Sequence, residues 1–355
     1  MKATFFASMI SDEGRFPIVS LMTYRKDSDH KVHLPFTTPV PVSAQEIAKL
    51  SHAAGDSNHL RLFTDNGRVF IGAIQVTVLD EFRQFGYSSF RTGNPLKLVI
   101  LGPGHLEVST GGIALIFKAG EIFEEMLFPA SDAAKALGRS VASELAGKTK
   151  GKIESVEDIF NDLLRGIIRL GHGGLLLVAK NPDVDEFSSY RGLDSNLLQE
   201  LLIRYWNDAD SLLAASGGVA PWLGRGNQRA KAPQLLKVAS DTTMLENCIG
   251  SIANLAGMDG AIVMDYSCRV VGFNAIISKT PAGAENAILV DCIGHEIADA
   301  AVIASRGSRH QSALAYSKRV PDSFAFVISQ DGRVTTFHNQ GDGTVRYEGG
   351  LRALS

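Results

Sequence analysis

Apolar residues in the first third of the chain come in short runs that alternate with polar ones or stop at turn residues. In HLRLFTDNGRVFIGAIQVTVL (59–79) two such runs flank Asn66-Gly67, a dipeptide suited to a two-residue hairpin turn. The stretch LKLVILGPGHLEVSTGGIALIFKAGEIFE (96–124) continues the pattern, with Gly-Pro-Gly and Gly-Gly as punctuation. The opening MKATFFASMISDEGR reads as a first strand. Ser-Asp-Glu breaks its apolar run and no small-residue cleavage site follows, so it does not read as a secretory leader. A strand-rich α+β domain is expected over 1–145.

From Phe128 to Lys152 the chain turns to Ala, Ser, Gly and Lys, and ends in AGKTKGK, a tail read as a solvated helix end and linker. Its AGKTKGK ending is not a phosphate loop, since that motif needs glycine where Ala142 stands. Beyond it, SVEDIFNDLLRGIIRL (155–170) sets Val156, Ile159, Phe160, Leu163, Leu164, Ile167 and Ile168 on one helical stripe behind Ser155 as N-cap. GGLLLVAK (173–180) is wholly apolar, as a strand buried on both faces is.

SNLLQELLIRYW (195–206) predicts another helix, and SGGVAPWLGRGNQRAKAP (216–233) a solvated loop. DTTMLENCIGSIANLAGM (241–258) predicts a helix opened by the capping pair Thr243 and Glu246. A strand DGAIVMD, a turn and a strand RVVGFNAII follow. ENAILVDCIGHEIADAAVIA (285–304) again has helical spacing, and FAFVISQDGRVTTFH (324–338) reads as a hairpin with Asp331-Gly332 at its tip. Helices feeding buried strands make 150–355 an α/β domain.

At 355 residues and 45% apolar composition the chain has room for two buried cores. A formal charge of −3 supplies no global basic field, so no nucleic-acid partner is expected beyond a local patch such as Arg225, Arg229 and Lys231, itself read as solvated loop. No window approaches ~18 consecutive apolar residues, so no membrane span is expected. Cys248, Cys268 and Cys292 lack CxxC spacing and sit in apolar surroundings, which fits a cytoplasmic protein.

Two segments carry candidate chemistry. In RGSRHQSALAYS (306–317) a loop turns into a helix, whose unpaired N–H groups and partial positive charge suit phosphate oxygens. Gly307 lets the backbone approach a ligand, Ser308 and Ser312 offer hydroxyls, Arg309 a fork of donors and His310 another donor. The plainer alternative is a capped helix with surface Arg and His. In Met258-Asp259-Gly260-Ala261 a carboxylate at a helix-to-strand junction suits a divalent cation beside a sugar hydroxyl, although an isolated Asp-Gly is also an ordinary turn.

Taken in order, Asp-Gly-Ala on a strand, the RVVGFNAII hairpin, Gly-Ser-Arg-His opening a helix and a strand ending in Ser-x-Asp-Gly resemble the diadenylate cyclase domain family. Its motifs are Asp-Gly-Ala, Gly-Thr-Arg-His-Arg and a Ser-Glu-Glu type turn. GHGGLLLVAK is similar to the strand that opens that fold, so the resemblance runs over about 150–345.

The resemblance implies a mixed β-sheet flanked by helices, and a reaction joining two ATP molecules into cyclic di-AMP with release of two pyrophosphates. It implies Asp259 as a ligand of Mg²⁺ or Mn²⁺ that helps activate the ribose 3′-hydroxyl, with Asp331 as a second metal ligand. Gly260 and Ala261 line ribose and phosphate, Ser308, Arg309, His310 and Ser312 hold the triphosphate, Ser329 touches its outer part, and Ile277 borders adenine. Asp259, Arg309 and His310 are the implied catalytic residues. A face-to-face homodimer or higher homo-oligomer is implied as well, because each domain holds one ATP.

Gln311 replaces the second Arg of the family motif, and Gln330 with Asp331 replaces the paired acids. These departures leave open a weak or degenerate nucleotide-binding sensor of the same fold. By analogy with two-part bacterial relatives, the N-terminal domain is expected to be a sensor.

Overall fold

The computed structural model describes residues 2–11, 16–23, 33–54, 59–75, 96–110, 113–118, 120–150, 153, 156–215, 228–277, 287–299 and 306–352. Among them the chain divides into two compact units between Met126 and Leu127. Both are built on mixed β-sheets flanked by helices, as the α+β and α/β expectations require. Ser155, Arg225, Gly111-Gly112 and the distal part of the first hairpin, 76–79, lie outside the described residues.

In the first unit the sheet order is β2-β4-β3-β1-β5-β6-β7-β8. These strands are β1 (Val19–Thr23), β2 (His33–Pro41), β3 (His59–Asp65), β4 (Arg68–Gln75), β5 (Lys97–Gly102), β6 (His105–Thr110), β7 (Ile113–Lys118) and β8 (Glu121–Met126). Asp65 pairs with Arg68 across the predicted turn, where Asn66 (φ 47°) and Gly67 (φ 75°) both take the left-handed conformation that a tight hairpin needs.

The opening residues form a helix, α1 (Lys2–Ser8), and not the expected strand. Thr4, Ala7 and Ser8 fall at helical i, i+3, i+4 spacing and are buried, and Phe5 meets Phe117 edge-on at 5.2 Å. A second helix, α2 (Ala44–Ala54), buries Ile47, Ala48 and Ser51 by the same spacing.

The second unit opens with α3 (Asp132–Leu145), which ends just before the AGKTKGK tail read from sequence as a solvated helix end and linker. It is a packed helix: Ser131 accepts the Ala134 N–H at 3.1 Å, and Ala133, Ala134, Leu137, Val141 and Leu145 are buried along one stripe. Then follow α4 (Val156–Arg169), β9 (Gly174–Ala179), β10 (Phe187–Ser195), α5 (Leu197–Ala215), α6 (Gln228–Asn254), β11 (Ala261–Asp265) and β12 (Val270–Ile277). After these come β13 (Ile288–Val290), α7 (Ser308–Arg319), β14 (Ser323–Ile328), β15 (Arg333–Asn339) and β16 (Thr344–Arg352).

The strand order is β10-β12-β11-β9-β14-β15-β16-β13. At its centre β9 runs parallel to β11 and antiparallel to β14, and all three strands are buried throughout. Leu175, Leu177, Ala261, Val263, Ala325 and Val327 pack with Ala313, Leu314 and Tyr316 of α7 on one face. The alternate residues Leu176, Val178, Ile262, Met264, Phe324 and Phe326 are fully buried on the other. Two covered faces explain why GGLLLVAK carries no polar alternation.

Two further expectations are corrected. The helix foreseen at 241–258 starts at Gln228, so Thr243 is interior and donates to the Ala239 carbonyl at 3.2 Å; Thr243 and Glu246 form no capping pair. Of the segment 285–304, residues 287–298 hold β13 and a turn in place of the expected helix, Asp299 is helical, and 285–286 and 300–304 lie outside the described residues. Ile288–Val290 pairs in parallel with β16, and the Asp291 carboxylate accepts the N–H groups of Ile293 (3.0 Å) and His295 (2.8 Å), which satisfies the turn locally. Among the described residues no helix is long and apolar enough to cross a membrane.

Candidate functional site

The central strands decide which loops meet. Ala261 lies beside Leu175, and Leu175 beside Val327, while Gly174 lies beside Ile328. The segments Asp259-Gly260, His172-Gly173 and Ser329-Gln330 therefore leave the sheet side by side from three adjacent strands, about 4.8 Å apart per step.

Helix α7 returns to the same end. Its 12 residues span about 18 Å and the six of β14 about 20 Å, so the first turn of the helix is level with the end of the strand that follows it. The contacts agree: Arg309 Nη1 donates to the His172 carbonyl at 3.0 Å. Gly173 (φ 71°) leaves the room for this, since a Cβ there would stand 3.3 Å from Arg309 Nη1, 3.4 Å from Gln330 N and 2.5 Å from the Ile328 carbonyl oxygen.

On the other flank Asn274 (φ 53°) donates from Nδ2 to the Asp259 carbonyl. It sits where the β11–β12 register shifts, the kind of bulge that bends a strand beside a site. Gly260 (φ 108°) passes so close that a Cβ would lie 2.7 Å from the Asn274 carbonyl carbon. The Asp259 backbone is thus fixed while its carboxylate stays exposed.

The first turn of α7 has a glycine N-cap, Gly307, which has no side chain to cap the leading N–H groups, and the His310 N–H donates to the Gly307 carbonyl at 3.1 Å. Gly307 has an ordinary extended backbone (φ −70°) with nothing within 4 Å of where a Cβ would be. Ser308 is exposed and Ser312 half-buried. Ser329 closes the hairpin turn through its own backbone, giving its N–H to Arg333 at 2.9 Å and accepting from Gly332 at 3.1 Å. The exposed Asp331 carboxylate accepts the Arg333 N–H at 3.3 Å.

The sheet end therefore brings Asp259, Gly260, Ser308, Arg309 and Ser329 together, with Asp331 on the adjoining turn. Ala261 and Ile277 reach the same end but are buried in the core beneath α7, and Ile276 is the exposed residue there. His310 is also buried. Its Nε2 lies 3.2 Å from Arg306 Nη1 and 3.4 Å from Thr335 Oγ1, and burial, reinforced by the Arg306 charge, pushes its pKa down to about 4.

Sequence reasoning missed His172, Gly173, Asn274, Arg306 and Thr335. Only Arg306 carries a local signal, lying four residues before His310. As for a metal, Asp259 presents an exposed oxygen donor next to the phosphate-type corner, and Mg²⁺ is commonly held by one or two carboxylates plus substrate phosphates. Among the described residues no group of three or more His, Cys, Asp or Glu side chains is placed to hold a metal by protein ligands alone.

The second unit is an α/β domain whose mixed, doubly covered sheet presents an acid, a helix N-terminus and an arginine at one end. Residues 1–74 match the family described as the probable sensor domain DACNV. Among solved structures the chain is similar to a cysteine double mutant of DacA from Staphylococcus aureus, at 14% identity over 56% of this chain and 89% of that chain, with a TM-score of 0.27. No curated protein matches the chain.

Proposed function

We propose that the second unit is a cytoplasmic diadenylate cyclase that condenses two ATP molecules into cyclic di-AMP, and that the first unit senses the signal controlling it. The observation that supports this function is the convergence of Asp259 with the Ser308–Arg309 corner, 50 positions later in the chain, around one sheet end.

The leading N–H groups of α7, the Ser308 hydroxyl and the remaining Arg309 donors would bind the triphosphate, and Ser329 its outer end. Asp259, with Asp331, would hold Mg²⁺ or Mn²⁺, which when bound neutralises phosphate charge. In the reaction the 3′-oxygen of one ATP forms a bond to the α-phosphorus of the other. The bond from that phosphorus to the oxygen bridging to the β-phosphate breaks, pyrophosphate leaves, and the hydroxyl proton passes towards the exposed Asp259 carboxylate. Two such transfers close the ring. Catalysis of this kind comes mainly from positioning and charge stabilisation. One site holds one ATP, so two copies must face each other.

Incubating the purified full chain with ATP and Mn²⁺ and separating the products chromatographically tests the assignment. Cyclic di-AMP should form, and no product above an Asp259→Ala control would overturn it. A second reading, a nucleotide-binding sensor with little turnover, is favoured by Gln330 at the Gly173–Arg309 contact and by the exposed Gln311 on the first turn of α7. Calorimetric ATP binding without product would select it.

A further inference from the structure

Arg306 has no part in the motif, yet its side chain is the best-connected one in the corner. Its Nη1 donates to His310 Nε2 at 3.2 Å and to Thr335 Oγ1 at 3.1 Å, and its guanidinium carbon lies 5.6 Å from the centre of the Tyr347 ring. Thr335 on β15 is 3% exposed and His310 on α7 is 9% exposed, so water competes little for these bonds.

A guanidinium is a permanent donor with no lone pair to accept a proton. An imidazole nitrogen facing it must therefore be the unprotonated one. With Nε2 accepting, the neutral ring carries its hydrogen on Nδ1. Thr335 reinforces the choice: its oxygen accepts from Arg306, which frees its own hydrogen to point at Nε2, 3.4 Å away. Protonating Nε2 would set N–H against N–H and two cations side by side.

Among the described residues around the ring none supplies an opposing charge: β15 offers the neutral Thr335, β16 the neutral Tyr347 beside Arg306, and Arg306 itself is the charged group acting on His310. Burial then pushes the ring the same way, to a pKa of about 4.

We propose that Arg306 is a positioning residue that locks His310 in its neutral, Nδ1-protonated tautomer, so that the ring meets a phosphate oxygen as an uncharged donor. The phosphate half of this statement rests on the cyclase reading; the tautomer half does not. It removes His310 as a source of positive charge and as a proton shuttle at neutral pH. The cationic donors left for the triphosphate are those of Arg309.

Long-range ¹H–¹⁵N spectra of the histidine-labelled full chain, with the His310 signals assigned by their loss in His310→Asn, test it without substrate. Wild type should show Nδ1 protonated and Nε2 free, with no titration between pH 5.5 and 8. In Arg306→Leu the midpoint should rise by about half a pH unit or more, staying below the ordinary 6.5 because burial persists. Arg306→Lys, which keeps the charge, should hold the midpoint low.

In the ATP assay the Arg306→Leu pH–rate profile should gain a limb at its new midpoint. A wild-type ring protonated on Nε2, or an Arg306→Leu ring indistinguishable from wild type, would overturn the proposal. Absence of cyclic di-AMP from wild type would remove the cyclase reading, while the spectra would still decide for or against Arg306.

Discussion

Two glycines of the corner should behave oppositely when given a methyl group. At Gly260 the backbone has φ 108°, and a Cβ would stand 2.7 Å from the Asn274 carbonyl carbon and 2.9 Å from both the nitrogen and oxygen of Ala275. All three atoms are backbone in a paired strand and cannot swing aside. The conformational strain is worth about 1–3 kcal/mol and the overpacking about 1–3 kcal/mol, so Gly260→Ala should destabilise the second unit by about 2–6 kcal/mol.

At Gly307 the backbone is ordinary and the space is open, so Gly307→Ala should change stability by less than about 0.5 kcal/mol. The same methyl group projects into the space assigned to the triphosphate and should weaken ATP binding. Urea unfolding followed by fluorescence of Trp206, buried in α5, in a Trp222→Phe background reads the second unit, and at a slope near 2–3 kcal/mol/M the Gly260→Ala midpoint should fall by about 1–2 M. A Gly260→Ala midpoint within about 0.3 M of wild type would refute the close approach of β12 to Gly260. So would an equal fall in both variants.

Asp259→Asn should abolish product while leaving the unfolding midpoint unchanged, because the fold uses the backbone carbonyl of Asp259 and its carboxylate is exposed; the chromatographic assay and a urea titration check both halves. Arg309→Ala should weaken ATP binding by about 1.5–3 kcal/mol, roughly 10- to 150-fold by calorimetry, as expected for charge-assisted bonds. Arg309→Lys should recover only part of this, since an ammonium cannot bridge two oxygens as a planar fork does.

Asp162 on α4, beside Arg165 at 3.4 Å, is held by burial at a pKa of about 6 against an ordinary 3.8. The native state therefore keeps a proton that the unfolded chain has released between those values, and stability falls as pH rises through that window. Asp162→Asn should be more stable than wild type at pH 7.5, by about 3 kcal/mol at most, with the gain vanishing below pH 3.8 in denaturant titrations.

The elements that could be read from sequence are those whose reasons are local. Asn66-Gly67 specifies its turn by backbone conformation alone, and GGLLLVAK announces a strand covered on both faces. The N-terminus misled because Phe5 and Phe6 resemble a strand run, whereas small buried residues at helical spacing decide the element. Residues 287–298 misled because their apolar spacing fits a helix, while pairing with β16 and the Asp291 turn stabilise a strand over 288–290. Within the site, motif order pointed to Asp259 and Arg309. The residues that hold them could not be foreseen, because Asn274 reaches Asp259 only through a register shift and Thr335 reaches His310 only through the alignment of β15 under α7.

That division has a physical origin in where the chemistry sits relative to the core. The side chains of β9, β11 and β14 are buried on both faces along their whole length, so every polar group able to meet a ligand must lie beyond the strand ends. The acid precedes β11, the carbonyl that Arg309 binds precedes β9, and Ser329 follows β14. A strand end is held by its neighbours' backbones, and here those contacts run through glycines at positive φ, Gly173 and Gly260. Substitution at Asp259, Ser308 or Arg309 should therefore alter function with little effect on folding, whereas substitution at Gly173 or Gly260 should damage both, because the same backbone approach builds the sheet end and aims the groups upon it.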